Sequence, residues 1–508
     1  IKNNLLGDPE STTTDNGIKT EYFYNAFGLP ETTIVSGPNI LTNTSKAEYD
    51  SKRRFITKQT NTLEHTAEMT YDNAYGNILT HKDANGHITQ YSYDGFGRLK
   101  QTTTSTNQKI TITRTWDNSI NETNRKSVFA IETSQPDAPT SKVFYDILGR
   151  ELRKQTQGFD GSTIFVDKTY NNLGQLVSES EPNDNTLLTT YTYEDDLLRR
   201  LKTVTAPGGT QVAYTYTANT TSVVATAGNS VRKSSKKSDA SGKLVSSTDE
   251  GGTISYLYHS NGNPRQITAP GGAVTTMTYD GFGRQKTLSD PNAGTTSYTY
   301  DILGQLKTQT DAKGNIYTMN YDAPGRIKTK TGPEGTITYS YDTKPGGKGM
   351  LATVTAGFNS INYDYTYDNE SRLASKTEQN IDGKNYTFAY LYDDLNRITK
   401  QTYPGGFAVN NTYNTFGYLK KITKADDNSL IWQCTGMNKR LQITNAMQGN
   451  GGIIDKGYDQ FGFLKYISHA ENTNVLAMNW SFNFNPTTGN LEKRTDNFNM
   501  LSETFTYD

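Results

Sequence analysis

The most regular pattern along the chain is an alternation of aromatic and polar residues that ends just before an Asp or Asn. In the stretch YSYDGFGRLKQTTT, which begins at Tyr91, two tyrosines flank one residue, and nine strands end in such a Tyr-x-Tyr pair directly before the turn. Residues two apart share one face of a β-strand, and Tyr and Thr both favour a half-buried pleated surface. The pattern therefore predicts a strand that ends at the second aromatic residue.

A tight turn is predicted directly after that strand. In eleven places a Gly stands three residues after the Asp, Asn or His, as in Asp94-Gly95-Phe96-Gly97. This spacing is typical of a type I turn, and a left-handed Gly at its end adds a β-bulge that suits an antiparallel hairpin. A second strand such as RLKQTTT (98–104) follows, and a second turn such as APGG (206–209) closes the unit. Each repeat is therefore predicted to contribute two strands and two turns to an antiparallel meander.

The repeat runs from one end of the sequence to the other. We take the aromatic residue before the Asp or Asn as the anchor, and the 22 anchors are 20 to 29 residues apart, with a mean of 23. A fixed period in this range indicates an extended repeat array, so we expect an all-β fold with almost no helix. The clear anchors are Tyr24, Tyr49, Tyr71, Tyr93, Trp116, Tyr145, Tyr170, Tyr193, Tyr216, Tyr258, Tyr279, Tyr300, Tyr321, Tyr341, Tyr367, Tyr392, Tyr413, Tyr458 and Tyr507, and the weaker ones are Ser238, Met437 and Phe484.

The unbroken period predicts a single array over residues 1–508 with no separate globular domain. Three looser stretches, 117–144, 343–366 and 424–457, are interpreted as longer hairpin loops. The chain starts inside a unit and ends on an anchor, at Tyr507-Asp508, so we expect an array truncated at both ends. A sheet of about 44 strands would be roughly 210 Å wide at 4.8 Å per strand, and it is therefore expected to curl.

Composition and charge exclude several function classes. The net charge is −1, which gives no electrostatic footprint for nucleic acid, and the local basic clusters SKRR (51–54) and RKSSKK (232–237) are interpreted as solvated strand faces. Cys434 is the only cysteine, so no internal disulfide is possible. No apolar run approaches the roughly 20 residues of a membrane span.

Candidate catalytic and metal-binding chemistry is sparse. His81 and His87 flank the turn KDANG and could approach each other across a hairpin, but two ligands do not make a zinc site, so both are interpreted as solvated turn residues. The carboxylates are mostly turn residues, whose ordinary role is to bond their own backbone. We find no nucleophile signature, phosphate loop or dinucleotide fingerprint. The sequence therefore predicts no catalytic residue, no cofactor and no metal.

The repeat resembles the YD-repeat, or RHS, family over essentially the whole chain. The resemblance rests on the core Tyr-Asp-x-x-Gly-Arg-Leu, seen at Tyr93–Leu99, Tyr145–Arg150, Tyr279–Arg284 and Tyr321–Ile327. The family includes bacterial RHS polymorphic toxins, the cocoon-forming subunits of Tc insecticidal toxins and the animal teneurins. The resemblance implies a β-sheet coiled into a hollow spiral shell, which in bacterial members holds a C-terminal toxin. The segment rich in Asp-Pro-x-Gly that closes many bacterial shells, with its self-cleaving aspartates, is not found before Asp508, so no catalytic residue is carried over.

Three function classes follow from these observations. The first is a non-catalytic shell wall around a toxin or effector domain, secreted or at the bacterial cell surface, with the remaining repeats and the enclosed domain as partners. The second is a surface adhesin that binds glycans or neighbouring cells through the outer face of the array. A glycan-active enzyme is disfavoured because no catalytic insert is present.

The repeat residues themselves are expected to be structural, with the anchor Tyr packing on the sheet and the Asp and Gly forming the turn. They are Tyr93, Asp94, Gly97, Tyr145, Asp146, Gly149, Tyr279, Asp280, Gly283, Tyr300, Asp301, Gly304, Tyr321, Asp322 and Gly325.

Overall fold

The predicted two-strand repeat forms throughout the chain. The structure is a computed structural model, and it describes residues 1–358, 362–471 and 476–507. Strands make up 58% of the chain, and the single helical segment of the described residues is a 3₁₀ turn at Pro270–Gly272. The expectation of an all-β chain is confirmed.

Forty-seven strands follow one another along the chain. They are β1 (Lys2–Asn3), β2 (Pro9–Thr13), β3 (Lys19–Tyr24), β4 (Pro30–Ser36), β5 (Asn43–Tyr49), β6 (Ile56–Thr60), β7 (Thr66–Tyr71), β8 (Ile78–Lys82), β9 (Ile88–Tyr93), β10 (Leu99–Thr103), β11 (Lys109–Trp116), β12 (Asn121–Glu122), β13 (Arg125–Lys126), β14 (Phe129–Ser134), β15 (Ser141–Tyr145), β16 (Glu151–Gln157), β17 (Thr163–Tyr170), β18 (Leu176–Glu181), β19 (Asp184–Tyr193), β20 (Leu201–Thr205), β21 (Gln211–Thr217), β22 (Thr220–Ala227), β23 (Ser230–Ser238), β24 (Leu244–Asp249), β25 (Gly252–Tyr258), β26 (Pro264–Thr268), β27 (Val274–Tyr279), β28 (Gln285–Asp290), β29 (Gly294–Tyr300), β30 (Leu306–Thr310), β31 (Ile316–Tyr321), β32 (Ile327–Gly332), β33 (Gly335–Tyr341), β34 (Leu351–Ala356), β35 (Asn362–Tyr367), β36 (Leu373–Ile381), β37 (Lys384–Tyr392), β38 (Ile398–Thr402), β39 (Ala408–Tyr413), β40 (Leu419–Lys424), β41 (Leu430–Met437), β42 (Ile443–Gln448), β43 (Ile453–Tyr458), β44 (Leu464–Ala470), β45 (Leu476–Phe484), β46 (Leu491–Asp496) and β47 (Leu501–Thr504). Forty-five of them belong to the antiparallel meander, and β12 and β13 form a separate short hairpin.

The anchors mark the strand ends closely. All of them except Tyr216 and Tyr507 are the last residue of a strand, including the weak anchors Ser238, Met437 and Phe484. We call the turn that follows an anchor the Tyr-Asp turn, and the turn that leads into the next repeat the return turn. Asp94–Gly97 is a Tyr-Asp turn, and Asp83–Gly86 is a return turn.

The interpretation of three stretches as longer hairpin loops is wrong. Residues 129–145 form β14 and β15, residues 351–367 contain β34 and β35, and residues 430–458 form β41 to β43. The β-branched and apolar residues there keep the period-two alternation even where the Tyr-Asp motif is weak. Residues 359–361 and Asp508 lie outside the described residues.

The chain divides into two compact units. Unit 1 consists of residues Ile1–Lys109, Tyr258–Gln266 and Val274–Ala408, and unit 2 consists of Ile110–Leu257, Ile267–Ala273 and Val409–Asp508. Each unit contains an earlier and a later run of repeats. The expectation of a single array over the whole chain stays a prediction.

The sheet of unit 1 has two chemically different faces. On one face, Tyr298 and Tyr300 of β29 lie beside Leu306 of β30, and the side chain of Met319 on β31 is buried. On the other face, five threonines are successive partners across β29 to β33, and pairs of them share hydrogen bonds, such as that of 2.6 Å between the hydroxyls of Thr299 and Thr308. The threonines in this row are Thr299, Thr308, Thr318, Thr331 and Thr336. One face is therefore aromatic and the other is a row of hydroxyl groups.

Unit 2 contains a small apolar cluster beside the β12–β13 hairpin. The buried residues Ile120, Ala130, Phe144 and Leu152 pack together, and Tyr170 packs against them. The hairpin is the one part of residues 117–144 that departs from the repeat.

Candidate functional site

The Tyr-Asp turn is closed by its own aspartate. The backbone N–H of Gly97 donates to the carbonyl of Asp94 at 3.0 Å, and the N–H of Asp94 donates to the carbonyl of Arg98 at 2.9 Å. The Asp94 carboxylate accepts from the N–H groups of Phe96 and Arg98, at 3.0 Å each. These bonds and the left-handed Gly97 form the bulge at the end of the turn, and a second bulge lies at Lys100, since Leu99 pairs with Tyr93 and Gln101 with Ser92. The predicted bulged turn is confirmed at this position.

The residue after the turn Gly joins neighbouring repeats of each unit. In unit 1 the guanidinium of Arg284 donates to Asp280 of its own turn at 2.7 Å and lies 4.8 Å from the ring of Tyr300, the next anchor. Where the position holds an amide, it bonds the next turn instead, and Gln305 Nε2 donates to the carbonyl of Gly325 at 3.2 Å. This position was visible in the sequence motif, but its role could not be read there because it depends on the adjacent repeat.

The anchor hydroxyl bonds the preceding repeat. Tyr93 donates to the carbonyl of Ile78 at 2.8 Å, Tyr300 to Gln285 at 2.7 Å and Tyr321 to Leu306 at 2.8 Å. Thus each repeat is held from one side by an Arg or an amide and from the other side by a Tyr. These contacts are short, and they join each repeat to the repeats on either side of it.

The predicted site residues occupy equivalent positions in five separate turns, and the structure does not bring them together into one site. Within these turns, Tyr145 stacks on Phe129 with ring centroids 5.0 Å apart, and Tyr279 meets the His259 ring edge-on at 5.6 Å. The five glycines have left-handed φ values: Gly97 75°, Gly149 75°, Gly283 78°, Gly304 85° and Gly325 93°. Their assignment as purely structural residues stays a prediction.

The pKa values of the anchor tyrosines and of the turn aspartates are shifted in opposite directions. Burial raises the pKa of Tyr93, Tyr300 and Tyr321 above the ordinary tyrosine value, so their hydroxyls remain donors. Desolvation alone would raise the pKa of Asp94 and Asp280, but the backbone N–H and guanidinium of the following Arg hold each pKa below the ordinary aspartate value.

The later run of repeats in each unit contacts the earlier run through its turns. In unit 1 the amide of Asn16, on a return turn, donates to the carbonyl of Ile302, on a Tyr-Asp turn, at 2.7 Å. Further along, Asn43 donates to the carbonyl of Ala323 at 3.1 Å, and Thr106 donates to that of Asp394 at 2.9 Å. The partners are 280 to 288 residues apart. We call this row of contacts the seam of unit 1.

Unit 2 has a seam of the same kind. The amide of Asn414 donates to the carbonyl of Phe159 at 2.7 Å, and the hydroxyl of Tyr418 donates to that of Gln157 at 2.7 Å. Arg440 forms an ion pair of 2.6 Å with Glu181. These partners are 255 to 261 residues apart. In both units, therefore, Tyr-Asp turns of the later run meet return turns of the earlier run.

Return-turn glycines allow this close approach. A Cβ at Gly37 would lie 2.7 Å from Cδ1 of Ile302 in unit 1, and a Cβ at Gly161 would collide with the ring of Phe416 in unit 2. The seams were not predicted from the sequence, because the repeats are too similar for the sequence to show which of them meet.

His87 is part of the unit 1 seam and is not a solvated turn residue. Its Nδ1 lies 2.8 Å from Oδ2 of Asp83, and its Nε2 lies 2.9 Å from the carbonyl oxygen of Asn369. On β8, His81 pairs with Thr89 of β9. Among the described residues, no group of three or more His, Cys, Asp or Glu could hold a metal ion.

A buried charge network in unit 2 was also missed. The side chains of Arg125 and Asp167 are 7% and 6% exposed, and Nη2 of Arg125 lies 2.7 Å from Oδ1 of Asp167. Arg153 binds the same carboxylate at 2.6 Å, and Arg125 also donates to the carbonyl of Leu152 at 3.0 Å. Glu122, three residues earlier, is the local partner of Arg125 at 3.0 Å, whereas Asp167, Arg153 and Leu152 lie on distant strands that the sequence does not connect to it. The network fastens the β12–β13 hairpin to the sheet.

In the part of the chain that the structure describes, no helix has the length and apolar character that a membrane crossing requires.

Two family models match the sequence. The teneurin YD-shell model matches residues 219–366, and the RHS repeat model matches residues 71–109. The resemblance to the YD-repeat, or RHS, family is confirmed. Teneurin-4 of Mus musculus is 31% identical to this chain over 160 residues, and Teneurin-4 of Homo sapiens is 30% identical over the same length. In both cases the alignment covers 31% of this chain and 6% of the relative.

The same fold occurs in solved structures of toxin complexes. The crystal structure of TcdB2-TccC3 has a TM-score of 0.79 at 15% identity over 95% of this chain. The Photorhabdus luminescens Tc holotoxin pore has a TM-score of 0.76 at 14% identity, also over 95% of this chain. This chain spans 30% and 32% of the length of those two chains. At this level of identity the likeness shows the fold.

Proposed function

We propose that residues 1–508 form one array of repeats that serves as a non-catalytic wall segment of a YD-repeat shell, and that the shell encloses a C-terminal toxin or effector domain. The partners of the segment are then further repeats of the same polypeptide and the enclosed domain. The shell is secreted or lies at the bacterial cell surface. The fold shared with the Tc toxin chains supports the proposal.

The seams are the observation that carries this proposal. A wall must hold adjacent rows of a sheet together along their edges, and each unit does so through repeated Tyr-Asp-turn to return-turn contacts. Many of these contacts end on backbone carbonyls, such as that of Ile302, so they depend little on the sequence of the accepting turn. A row of such contacts resists local opening better than one isolated contact, because separating the rows requires all of them to break.

The two faces of the sheet fit a container. We assign the hydroxyl face to the enclosed domain, because a row of hydroxyl groups such as that across β29 to β33 offers a polypeptide little apolar contact. The aromatic face and the anchor tyrosines then serve to stabilise the sheet itself. In this role the anchor Tyr and the turn Gly are structural residues.

Protease protection of the enclosed domain tests the proposal. In the full-length natural polypeptide, the C-terminal domain should resist a protease that degrades the same domain when it is free. A seam variant that combines Arg440→Ala with Tyr418→Phe should speed its degradation. Arg494→Ala is the matched control, because Arg494 pairs with Glu503 on the adjacent strand and lies outside the seam. Equal degradation of the free and the attached domain would contradict enclosure.

A surface adhesin is the second candidate, and one observation favours it. Trp116, at the end of β11, is 86% exposed, and exposed aromatic rings are the usual stacking surface for sugars. Binding of the natural protein to a glycan-coated surface, lost in Trp116→Ala while the domain remains open to protease, would support the adhesin and oppose the container.

A further inference from the structure

The ring of His87 lies between two hydrogen-bond acceptors, one on each side of the unit 1 seam. Its Nδ1 lies 2.8 Å from Oδ2 of Asp83 in its own return turn. Its Nε2 lies 2.9 Å from the carbonyl oxygen of Asn369, in a Tyr-Asp turn of the later run. An ionised carboxylate and a carbonyl oxygen only accept hydrogen bonds. Both ring nitrogens must therefore donate if both contacts are to be hydrogen bonds.

Only the charged form of the ring meets this requirement. A neutral imidazole carries one N–H, so in either tautomer the lone pair of the other nitrogen would face an oxygen at hydrogen-bond distance. The imidazolium carries two N–H groups and also forms an ion pair with Asp83. The His87 side chain is 16% exposed, which leaves water little room to replace a lost partner. The closed seam thus selects the protonated ring.

The charged groups around the ring favour the same form. The carboxylates of Asp83 and Glu370 both act on it, and Glu370 lies in the opposing turn. Asp368, also in that turn, is offset by its ion pair with Arg372 at 2.8 Å. Burial of the ring alone would lower the pKa of His87, but its two hydrogen bonds and the two nearby carboxylates raise that pKa above the ordinary histidine value.

The return turn that carries His87 meets the later run at a second point. The amide of Asn85 donates to the carbonyl of Lys348 at 3.1 Å, and its Oδ1 accepts from the N–H of Lys348 at 2.9 Å. Asn85 and His87 are held together, because the Asp83 carboxylate accepts from the backbone N–H of each at 2.9 Å. Opening of the contact at Asn85 is therefore coupled to opening at His87.

We propose that His87 is a protonation-dependent clasp of the unit 1 seam, which fastens the return turn 83–86 to the Tyr-Asp turn 368–371 while the ring is charged and weakens when the ring loses its proton. The closed seam binds the proton more tightly than the open one. The added stability is therefore complete below the ordinary histidine pKa of about 6.5, and it is lost as the pH rises through the higher pKa of the closed seam. The proposal concerns the strength of the wall and does not depend on what the wall encloses.

An NMR titration of the 508-residue chain, labelled with ¹⁵N in its histidine rings, tests the protonation state directly. His87→Gln removes one set of ring signals and so assigns it. Both nitrogens of His87 should show imidazolium shifts in acid, and the midpoint of the titration should lie above about 6.5. This measurement uses the wild type, so it decides even if the variant folds poorly. A midpoint at or below the ordinary histidine value would overturn the proposal.

Hydrogen exchange at the backbone N–H of Lys348 tests whether protonation controls the seam, because its partner Asn85 lies on the other side of the contact. Its protection, corrected for the intrinsic exchange rate at each pH, should fall between pH 5 and pH 9. The expected fall is about tenfold for each unit by which the titration midpoint of His87 exceeds 6.5. His87→Gln should abolish the pH dependence, because Gln can still donate to Asn369 but does not titrate.

His65→Gln is the matched control. His65 is a half-buried histidine near the same segment of the later run, with its Nε2 4.0 Å from the Asp342 oxygen that accepts from the N–H of Gly349. This variant should keep the pH dependence of the wild type, and circular dichroism confirms that both variants are folded. Protection of Lys348 that does not change with pH in the wild type, a pH dependence that survives in folded His87→Gln, or its loss in His65→Gln would overturn the proposal.

Discussion

Gly97 offers a sharp test of the structural role of the turn glycines. Its φ is 75°, and a Cβ added there would lie 2.9 Å from Cγ of Tyr75. Gly283 has a similar φ of 78°, but the nearest atom to its added Cβ is Nδ2 of Asn263 at 3.4 Å, an ordinary contact. Both residues lie in unit 1 at the same position of the repeat. The pair therefore separates backbone strain from steric collision.

The expected losses of stability follow from the backbone strain and, at Gly97, from the steric collision as well. The left-handed conformation costs a residue with a Cβ about 1–2 kcal/mol, so Gly283→Ala should lower the local stability of its hairpin by that amount. Gly97→Ala carries the same strain and must also displace the Tyr75 ring, which adds about 1–3 kcal/mol, the usual cost of overpacking. The Val variants should be worse at both positions, because a β-branched residue fits positive φ poorly.

Hydrogen exchange measures these losses hairpin by hairpin, which suits a repeat protein whose parts open separately. We expect faster exchange in β9–β10 for Gly97→Ala and, to a smaller extent, in β27–β28 for Gly283→Ala. When Tyr75 is first replaced by Ser, the colliding ring is gone. Gly97→Ala should then lower the local stability of its hairpin only as much as Gly283→Ala lowers that of its own hairpin. Equal losses for the two Ala variants, or a Gly97→Ala loss unchanged by Tyr75→Ser, would refute the reasoning. Val variants that keep full stability but lose a binding activity would make the glycines functional.

Four further tests address the other contacts. Tyr93→Phe removes the hydroxyl bonded to Ile78 and should reduce local stability by about 1 kcal/mol, whereas Tyr91→Phe should have little effect in the same exchange experiment. Arg125→Gln removes one of the two Arg partners of the Asp167 carboxylate, which keeps Arg153, so urea unfolding should show a loss of about 1.5–3 kcal/mol, the range for a hydrogen bond to a charged group. Because the anchor tyrosines have raised pKa values, their stabilisation is complete below pH 10 and is lost at higher pH, so alkaline unfolding should accompany tyrosine ionisation at 295 nm. The lowered pKa of Asp94 acts in the opposite direction: its stabilisation is complete above about pH 4 and is lost in acid, and Asp94→Asn should flatten the acid dependence of exchange in its own hairpin.

The sequence predicted the repeat well because its signals are local. Tyr-x-Tyr alternation sets the strand, and the Asp and Gly set the turn within five residues, so even the weak anchors Ser238 and Met437 end strands. The longer loops were a wrong interpretation, since they relied on the absence of the motif. Strands β41 and β42 form from apolar and β-branched residues although no clear Tyr-Asp anchor ends them.

The seams and the buried network could not be predicted, for a different physical reason. Partners such as Asn16 and Ile302 are 286 residues apart, and any of several similar turns could have taken either place. Arg125 is an ordinary polar residue of a loop in the sequence, and only the folded sheet places Asp167 and Arg153 around it. Local pattern therefore determines the repeat, and the geometry of the folded sheet determines which repeats meet.

The most direct test of the shell proposal is an electron cryomicroscopy structure of the full-length natural protein that contains this segment. The proposal predicts a wall in which Tyr-Asp turns rest on return turns along every seam, with density for a separate domain enclosed by that wall. A solid or flattened array, or an empty shell in a full-length chain that has no cargo domain, would contradict it and leave the adhesin.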